Sequence, residues 1–253
     1  MKLIQNSILI GLITFLFSSN SYSQIDQNIE TKDFHKVVVS PFIDVELVKG
    51  EKETVHISAQ NLDPKKLNVK VKGKTLRIFL DHARIATRTE KVVDPSEPNS
   101  LYHRSPYENV RVKATITYVE LKHVQLRGEG HLTCNDRLGS NKLKIKLYGD
   151  VDVHIASIDA HRFKLTSFGD NEISIKSGAV DFQLYKMFGE NTVRTSGVNS
   201  TETKVRVFGE GDLTIATKDH LKVSCFGESN IYLKGNPVVT KSLILGEFDL
   251  YAY

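Results

Sequence analysis

Tryptophan is absent from the 253 residues, and methionine and cysteine occur twice each. Two cysteines allow at most one disulfide. Charge of one sign is also lacking: 34 Lys and Arg face 30 Asp and Glu, a net +4. That balance is too modest to signal nucleic-acid binding. Long hydrophobic runs are missing beyond Ile8–Phe17, and ten apolar residues are too few to span a bilayer. The motifs of classical catalysis are missing too. There is no Gly-x-Ser-x-Gly elbow, no His-Glu-x-x-His and no phosphate loop. The nine histidines are scattered.

The short apolar run has its own reading. Lys2 precedes it, and Ser21-Tyr22-Ser23 places small residues where a signal peptidase acts. Residues 1–23 are therefore expected to be a signal peptide cleaved before Gln24. No cysteine follows the run, which argues against a lipoprotein anchor. The mature chain is expected to be exported (periplasmic, surface-bound or secreted) with no membrane span.

What the chain has in abundance is one dipeptide. A glycine is followed by a carboxylate at Gly128, Gly149, Gly169, Gly189, Gly209, Gly227 and Gly246. The steps between these glycines are 21, 20, 20, 20, 18 and 19 residues. A period near twenty marks stacked copies of one supersecondary unit. Alternating apolar residues flank each glycine, as in Lys142 to Leu147 (Lys-Leu-Lys-Ile-Lys-Leu). That is strand patterning, and twenty residues leave no room for a crossover helix. The expected fold is all-β: a parallel β-helix over 110–253, about seven coils long, with a glycine at one corner of each. Glycine suits a corner that needs positive φ.

The columns of such a stack can be read directly. Tyr148, Phe168, Phe188, Phe208 and Phe226 precede successive glycines and form an aromatic ladder whose expected role is packing. In one unit Val180, Phe182 and Leu184 alternate and Met187 needs an odd step, so Tyr185 or Lys186 is expected to be a bulge residue. Cys134 and Cys225 fall five units apart, roughly 24 Å at strand spacing, too far for a disulfide.

The N-terminal part lacks the repeat. Residues 24–33 read as a linker. Residues 34–80 alternate in short runs separated by Gly50 and Gly73, which read as hairpin turns of an antiparallel capping unit. Residues 81–109 read as a long polar loop carrying Pro95, Pro98 and Pro106.

Charged columns are the candidate sites. The residue after every repeat glycine is acidic, and a second acidic column lies two residues further on. Carboxylates stacked at about 4.8 Å repel, so the cost needs an offset. Turn hydrogen bonds, cations on the preceding strand, or Ca²⁺ held by Asp150, Asp152, Asp170, Glu172, Glu210 and Asp212 could each supply it. The cations exist: Lys144, Lys146, Lys164, Lys204, Arg206 and Lys222 form an outward basic stripe that could also bind anionic glycan. The long loop contributes one further cluster, His82, Tyr102, His103, Arg104 and Tyr107. No other cofactor is indicated.

Gly209-Glu210-Gly211-Asp212-Leu213-Thr214-Ile215 resembles the recurring Gly-Ser-Gly-Asp element of the putative auto-transporter adhesin, head GIN domain family. Gly128-Glu129-Gly130-His131-Leu132 is similar, and Phe42 to Gly50 and Leu76-Arg77-Ile78 resemble the family's opening strands. The resemblance covers about residues 34–253. It implies an exported right-handed β-helix of the pectin-lyase type, a role in adhesion, and no recognised catalytic residues. Acidic residues replace the family's frequent Ser, and Tyr118-Val119 stands where a Pro is common. No barrel-forming segment follows Tyr253, so "auto-transporter" is not expected to apply literally.

The first functional expectation is a non-enzymatic, adhesin-like module whose partner is a cell-surface glycan or envelope component. The alternatives are a polysaccharide-active lyase or hydrolase, since such enzymes set carboxylates beside cations in a groove, and a structural envelope scaffold.

Overall fold

The structure, a computed structural model, describes residues 24–84, 90–93, 101–104, 107 and 109–253, with backbone only for 90–93 and 101–104. The signal-peptide expectation at 1–23 lies outside the described residues. Among the described residues there is no α-helix. A single 3-10 turn, Pro64–Lys66, is capped by the Asp63 carboxylate accepting from Lys65 N–H.

The repeat region is a parallel stack. Strand β10 (His123–Gly139) pairs in parallel with β11 (Lys142–Thr195), then β12 (Val198–Ala216), β13 (His220–Lys234) and β14 (Val238–Ala252) follow in order. Glycine lies on glycine: Gly128 on Gly149, Gly189 on Gly209, Gly209 on Gly227 and Gly227 on Gly246. The corner demands this residue. Gly189 has φ of 95°, and a Cβ there would sit 2.5 Å from the Gly169 carbonyl oxygen. Stacked corners pass so close that only a residue without a side chain fits. Inward columns such as Leu132, Val153, Ile173, Val193, Leu213 and Ile231 are wholly buried. The β-helix expectation is therefore met. Both cysteines are free and buried.

The N-terminal part is built differently from the expected antiparallel unit. β2 (Lys36–Val39) and β3 (Ile43–Lys49) lie parallel to β10, with Val39 beside Leu126 and Val45 beside Leu132. They form an extra coil of the solenoid, and Pro41 sits directly against Gly128 at its corner. A further layer covers this coil. β6 (Thr75–Leu80) lies parallel to β2, and β9 (Arg111–Tyr118) lies parallel to β3. β1 (Ile25–Glu30), β4 (Thr54–Gln60) and β5 (Leu67–Lys72) run antiparallel to their neighbours. Residues 25–30, read as linker, thus form an edge strand. Gly73 does close a hairpin, whereas Gly50 does not, because β9 inserts between β3 and β4. Local patterning cannot reveal an insertion from 60 residues downstream.

The expectation for residues 81–109 also changes. β6 ends before this stretch and β9 begins after it. Within it β7 (Glu90–Val93) and β8 (Leu101–Arg104) form a hairpin of their own.

Tyr185 is not a bulge residue. Lys186 pairs with Arg206 and Tyr185 with Val205 in unbroken register, and Tyr185 is wholly buried. The inward set is Gln183, Tyr185 and Met187, so a polar residue occupies a core position that the apolar Phe182 and Leu184 were expected to fill. Polarity misled the pattern, because Gln183 is satisfied inside by hydrogen bonds to Thr203 and the Ala216 carbonyl.

The C-terminal coil protects its open edge. Ladder register shifts opposite Val223 and Ser224, so Ser242 bulges out. Lys241, at an inward column position, carries its ammonium 4.9 Å from the centre of the Phe248 ring. A bulge and an inward-pointing charge both discourage another strand from adding.

Candidate functional site: a basic face beside an aromatic ladder

The aromatic column lies on the outer surface. Tyr148 and Phe168 stack at 5.0 Å, Phe168 and Phe188 at 4.6 Å, Phe188 and Phe208 at 4.9 Å, and Phe208 and Phe226 at 4.9 Å, all within 8° of parallel. Strand spacing sets these separations. Arg127 extends the line, its guanidinium 5.9 Å from the Tyr148 ring centre. Each ring face is covered by the next ring, so the rims meet solvent, Phe208 being 37% exposed. Ring rims carry partial positive charge. The ladder therefore offers no open platform for a sugar to stack on, and its edge favours anions.

Beside it run two outward columns of cations. Lys36, His123 and Lys144 share one register line, which continues as Lys204 and Lys222. The second contains Arg77, then Lys146 beside Gln125, then Lys186 beside Arg206. Lys164 lies among them and is held below the usual lysine range by desolvation and by Lys186, Lys146, Lys144 and Arg206. Lys36 and Lys204 are lowered by the same two causes in the same order. His123 is pushed down to about 4, first by burial and then by Lys36, Lys146 and Lys144, so it is neutral at pH 7.

Among the described residues these cations have no carboxylate partners. Among the described residues the ion pairs lie elsewhere, for example Lys113–Glu46 at 2.8 Å, Lys122–Glu120 at 2.9 Å and Arg194–Glu172. None involves Lys144, Lys146, Lys164, Lys186, Lys204, Arg206 or Lys222. The expected pairing of basic stripe with acidic corner does not form, because the glycine corner turns the acids onto the next face. A cleft of about 240 Å³ opens within the basic columns, lined by Lys142, Lys144, Arg162, Lys164, Phe182 and Leu184. Arg162 lies over the Phe182 ring at 5.8 Å.

The acidic columns divide. The first, including Asp150, Asp170 and Glu210, points into solvent and makes no hydrogen bond or ion pair among the described residues. Solvation alone offsets its repulsion, not the expected turn bonds. The second is bridged at several points. His131 Nδ1 lies 3.0 Å from Asp44 and Nε2 3.3 Å from Asp152. Glu172 pairs with Arg194, and Asp212 accepts from Asn230 at 2.9 Å. Among the described residues no group of three or more His, Cys, Asp or Glu is placed to hold a metal ion. The six carboxylates considered for Ca²⁺ run as a line and do not converge.

The loop cluster is only partly described. His82 is an exposed turn residue with φ of 61°. Tyr107 is buried, donates to the Asp81 carbonyl at 2.6 Å and packs on Phe42 with ring centres 6.0 Å apart. That is an anchoring role for the returning chain. Tyr102, His103 and Arg104 fall on β8, and their side chains lie outside the described residues.

Sequence reading missed Lys36, Arg77 and Arg127 as members of the basic face. Their signal was present in the alternation around Val37 and Val39, which repeats that around Val124 and Leu126. The intervening cap hid it.

Known structures share this architecture. A putative adhesin from Bacteroides fragilis is 17% identical with a TM-score of 0.73, covering 91% of this chain and 97% of that one. A putative adhesin from Parabacteroides merdae is 17% identical with a TM-score of 0.63, over 92% and 97%. A putative lipid binding protein from Parabacteroides distasonis is 14% identical with a TM-score of 0.59, over 92% and 98%. No curated protein matches. Residues 33–237 match the family described as "putative auto-transporter adhesin, head GIN domain", and the chain belongs to that family.

Proposed function

We propose that the chain is an exported, non-enzymatic, adhesin-like module of the cell envelope that holds an anionic polymer along its basic face. The observation that carries this reading is a set of cations with no carboxylate partner among the described residues, beside a ladder presenting only ring edges. Holding like charges together costs up to about 1 kcal/mol per close pair in water. A polyanion lying along the solenoid axis would relieve that cost at every coil. The family name supports adhesion. One structural relative is described as a putative lipid binding protein, and a charged lipid headgroup would suit the same cations.

The test is binding of the mature chain to immobilised polygalacturonate and dextran sulfate, with neutral dextran as control. Binding to both polyanions, falling steeply with ionic strength, is expected. The triple variant Lys144→Glu, Lys146→Glu, Lys164→Glu should lose it while remaining folded. Equal retention on neutral dextran, or undiminished binding by the triple variant, would refute the reading.

A further inference from the structure

The repeat shortens most sharply where a twenty-residue step gives way to one of eighteen, and a recess lies at that step. Thr195 pairs with Ile215, twenty residues on, but Glu202 pairs with His220, only eighteen on. The two missing residues come from the return corner between strands. Gly178, Ala179 and Val180 support Val198, Asn199 and Ser200 from one side. On the other side residues 198–201 have no ladder partner in β13. The shortened corner reaches them only through Lys218 N–H to the Ser200 carbonyl (2.8 Å) and Asp219 N–H to that of Thr201 (3.0 Å). The resulting ledge borders an open recess of about 420 Å³, lined in part by Asn199, Ser200, Thr217, Lys218, Lys234 and Asn236. That volume is within the range of small-molecule sites.

The floor of the ledge is a buried chain of polar side chains with one proton to spare. Tyr185 OH donates to Gln183 Oε1 at 2.9 Å, with the Thr195 hydroxyl 2.8 Å away on its other side. Gln183 Nε2 then donates to Thr203 Oγ1 at 2.9 Å and to the Ala216 carbonyl at 3.2 Å. Thr203 Oγ1 also meets Ser200 Oγ at 2.8 Å and Thr217 Oγ1 at 2.5 Å. A hydroxyl accepts two bonds and donates one. With one acceptor position of Thr203 taken by Gln183, one of Ser200 and Thr217 donates to Thr203 and the other accepts from it. The accepting residue keeps its own hydrogen, which has no protein acceptor among the described residues. Ser200 is 4% exposed and Thr217 2% exposed, and both line the recess. A buried donor without an acceptor is costly unless a guest supplies one.

We propose that this ledge binds one hydroxylated carboxylate of monosaccharide size, an acidic sugar unit. Lys218 and Lys234 would hold the carboxylate, Asn199 and Asn236 would serve neighbouring hydroxyls, and the spare Ser200 or Thr217 proton would reach a sugar oxygen. The site shares no residue with the basic face and stands without it.

The test is a titration of the ¹⁵N-labelled mature chain with D-glucuronate, with D-glucose and inorganic phosphate in parallel. Saturable shifts of the Ser200, Thr217 and Gly235 amides by glucuronate are expected, at an affinity about tenfold above either comparison ligand. Lys218→Gln with Lys234→Gln should remove the preference over glucose. Ser200→Ala with Thr217→Val should weaken both sugars about tenfold, whereas either substitution alone leaves one hydroxyl able to donate and binding largely intact. Unperturbed shifts at distant coils report that the variants are folded. The proposal fails if glucuronate moves none of these amides, if the lysine variant binds it unchanged, or if phosphate binds as well as glucuronate.

Discussion

Gln183 and Thr203 occupy the same inward column in successive coils and are joined side chain to side chain at 2.9 Å. A hydrogen-bonded pair thus sits in a core column whose next member is the buried Leu221. Such a pair is stable only while each partner is satisfied. Tyr185→Phe removes the hydroxyl that links Gln183 to Thr195 and leaves both without it. The expected loss is about 1–3 kcal/mol, read as a lower midpoint in urea.

Gly189→Ala forces a side chain into φ of 95° and against a carbonyl oxygen 2.5 Å away. The backbone strain alone costs about 1–3 kcal/mol. Gly73→Ala is the natural comparison, since φ is 56° there but nothing lies within 4 Å. Denaturation of the two variants should show the corner substitution to be the more damaging, the difference reporting the stack.

His123 makes stability depend on pH in a defined direction. Its folded pKa, about 4, lies below the ordinary 6.5 because of burial and the cations Lys36, Lys146 and Lys144. The unfolded chain therefore binds the proton first as pH falls. His123 contributes its full stability above about 6.5 and loses it progressively down to about 4. Thermal melts between these limits should fall more steeply for the native protein than for His123→Gln.

Lys164→Gln removes one member of a crowded set of like charges. At low ionic strength it should raise stability slightly, by about 0.5 kcal/mol or less, and the gain should vanish in high salt. The same substitution should weaken binding to polygalacturonate. A stabilising change that costs binding is the signature of a surface kept strained for a ligand.

The solenoid was legible because its cause is repeated. Seven glycines in one column recur at a nearly fixed step, and each reports the same steric demand. The basic stripe was legible for the same reason. Its unpaired state was not, since the turn at each glycine decides which face a neighbouring carboxylate meets. Gln183 escaped notice because polarity at a core position contradicts the pattern unless the partners, Thr203 and Tyr185, are known. The ledge at Ser200 was written in the sequence as a step of eighteen residues, but its meaning required the register.

By itself, then, the sequence determined the coil, its period, its corner residue and the columns of charge, because stacking makes local patterning and long-range contact the same information. Tertiary structure alone decided that β2 and β3 belong to the stack, that β9 enters between β3 and β4, and that the cations stand apart from the acids. Those outcomes depend on pairing between segments far apart in the chain, and backbone hydrogen bonds between strands carry no residue code that local alternation could reveal.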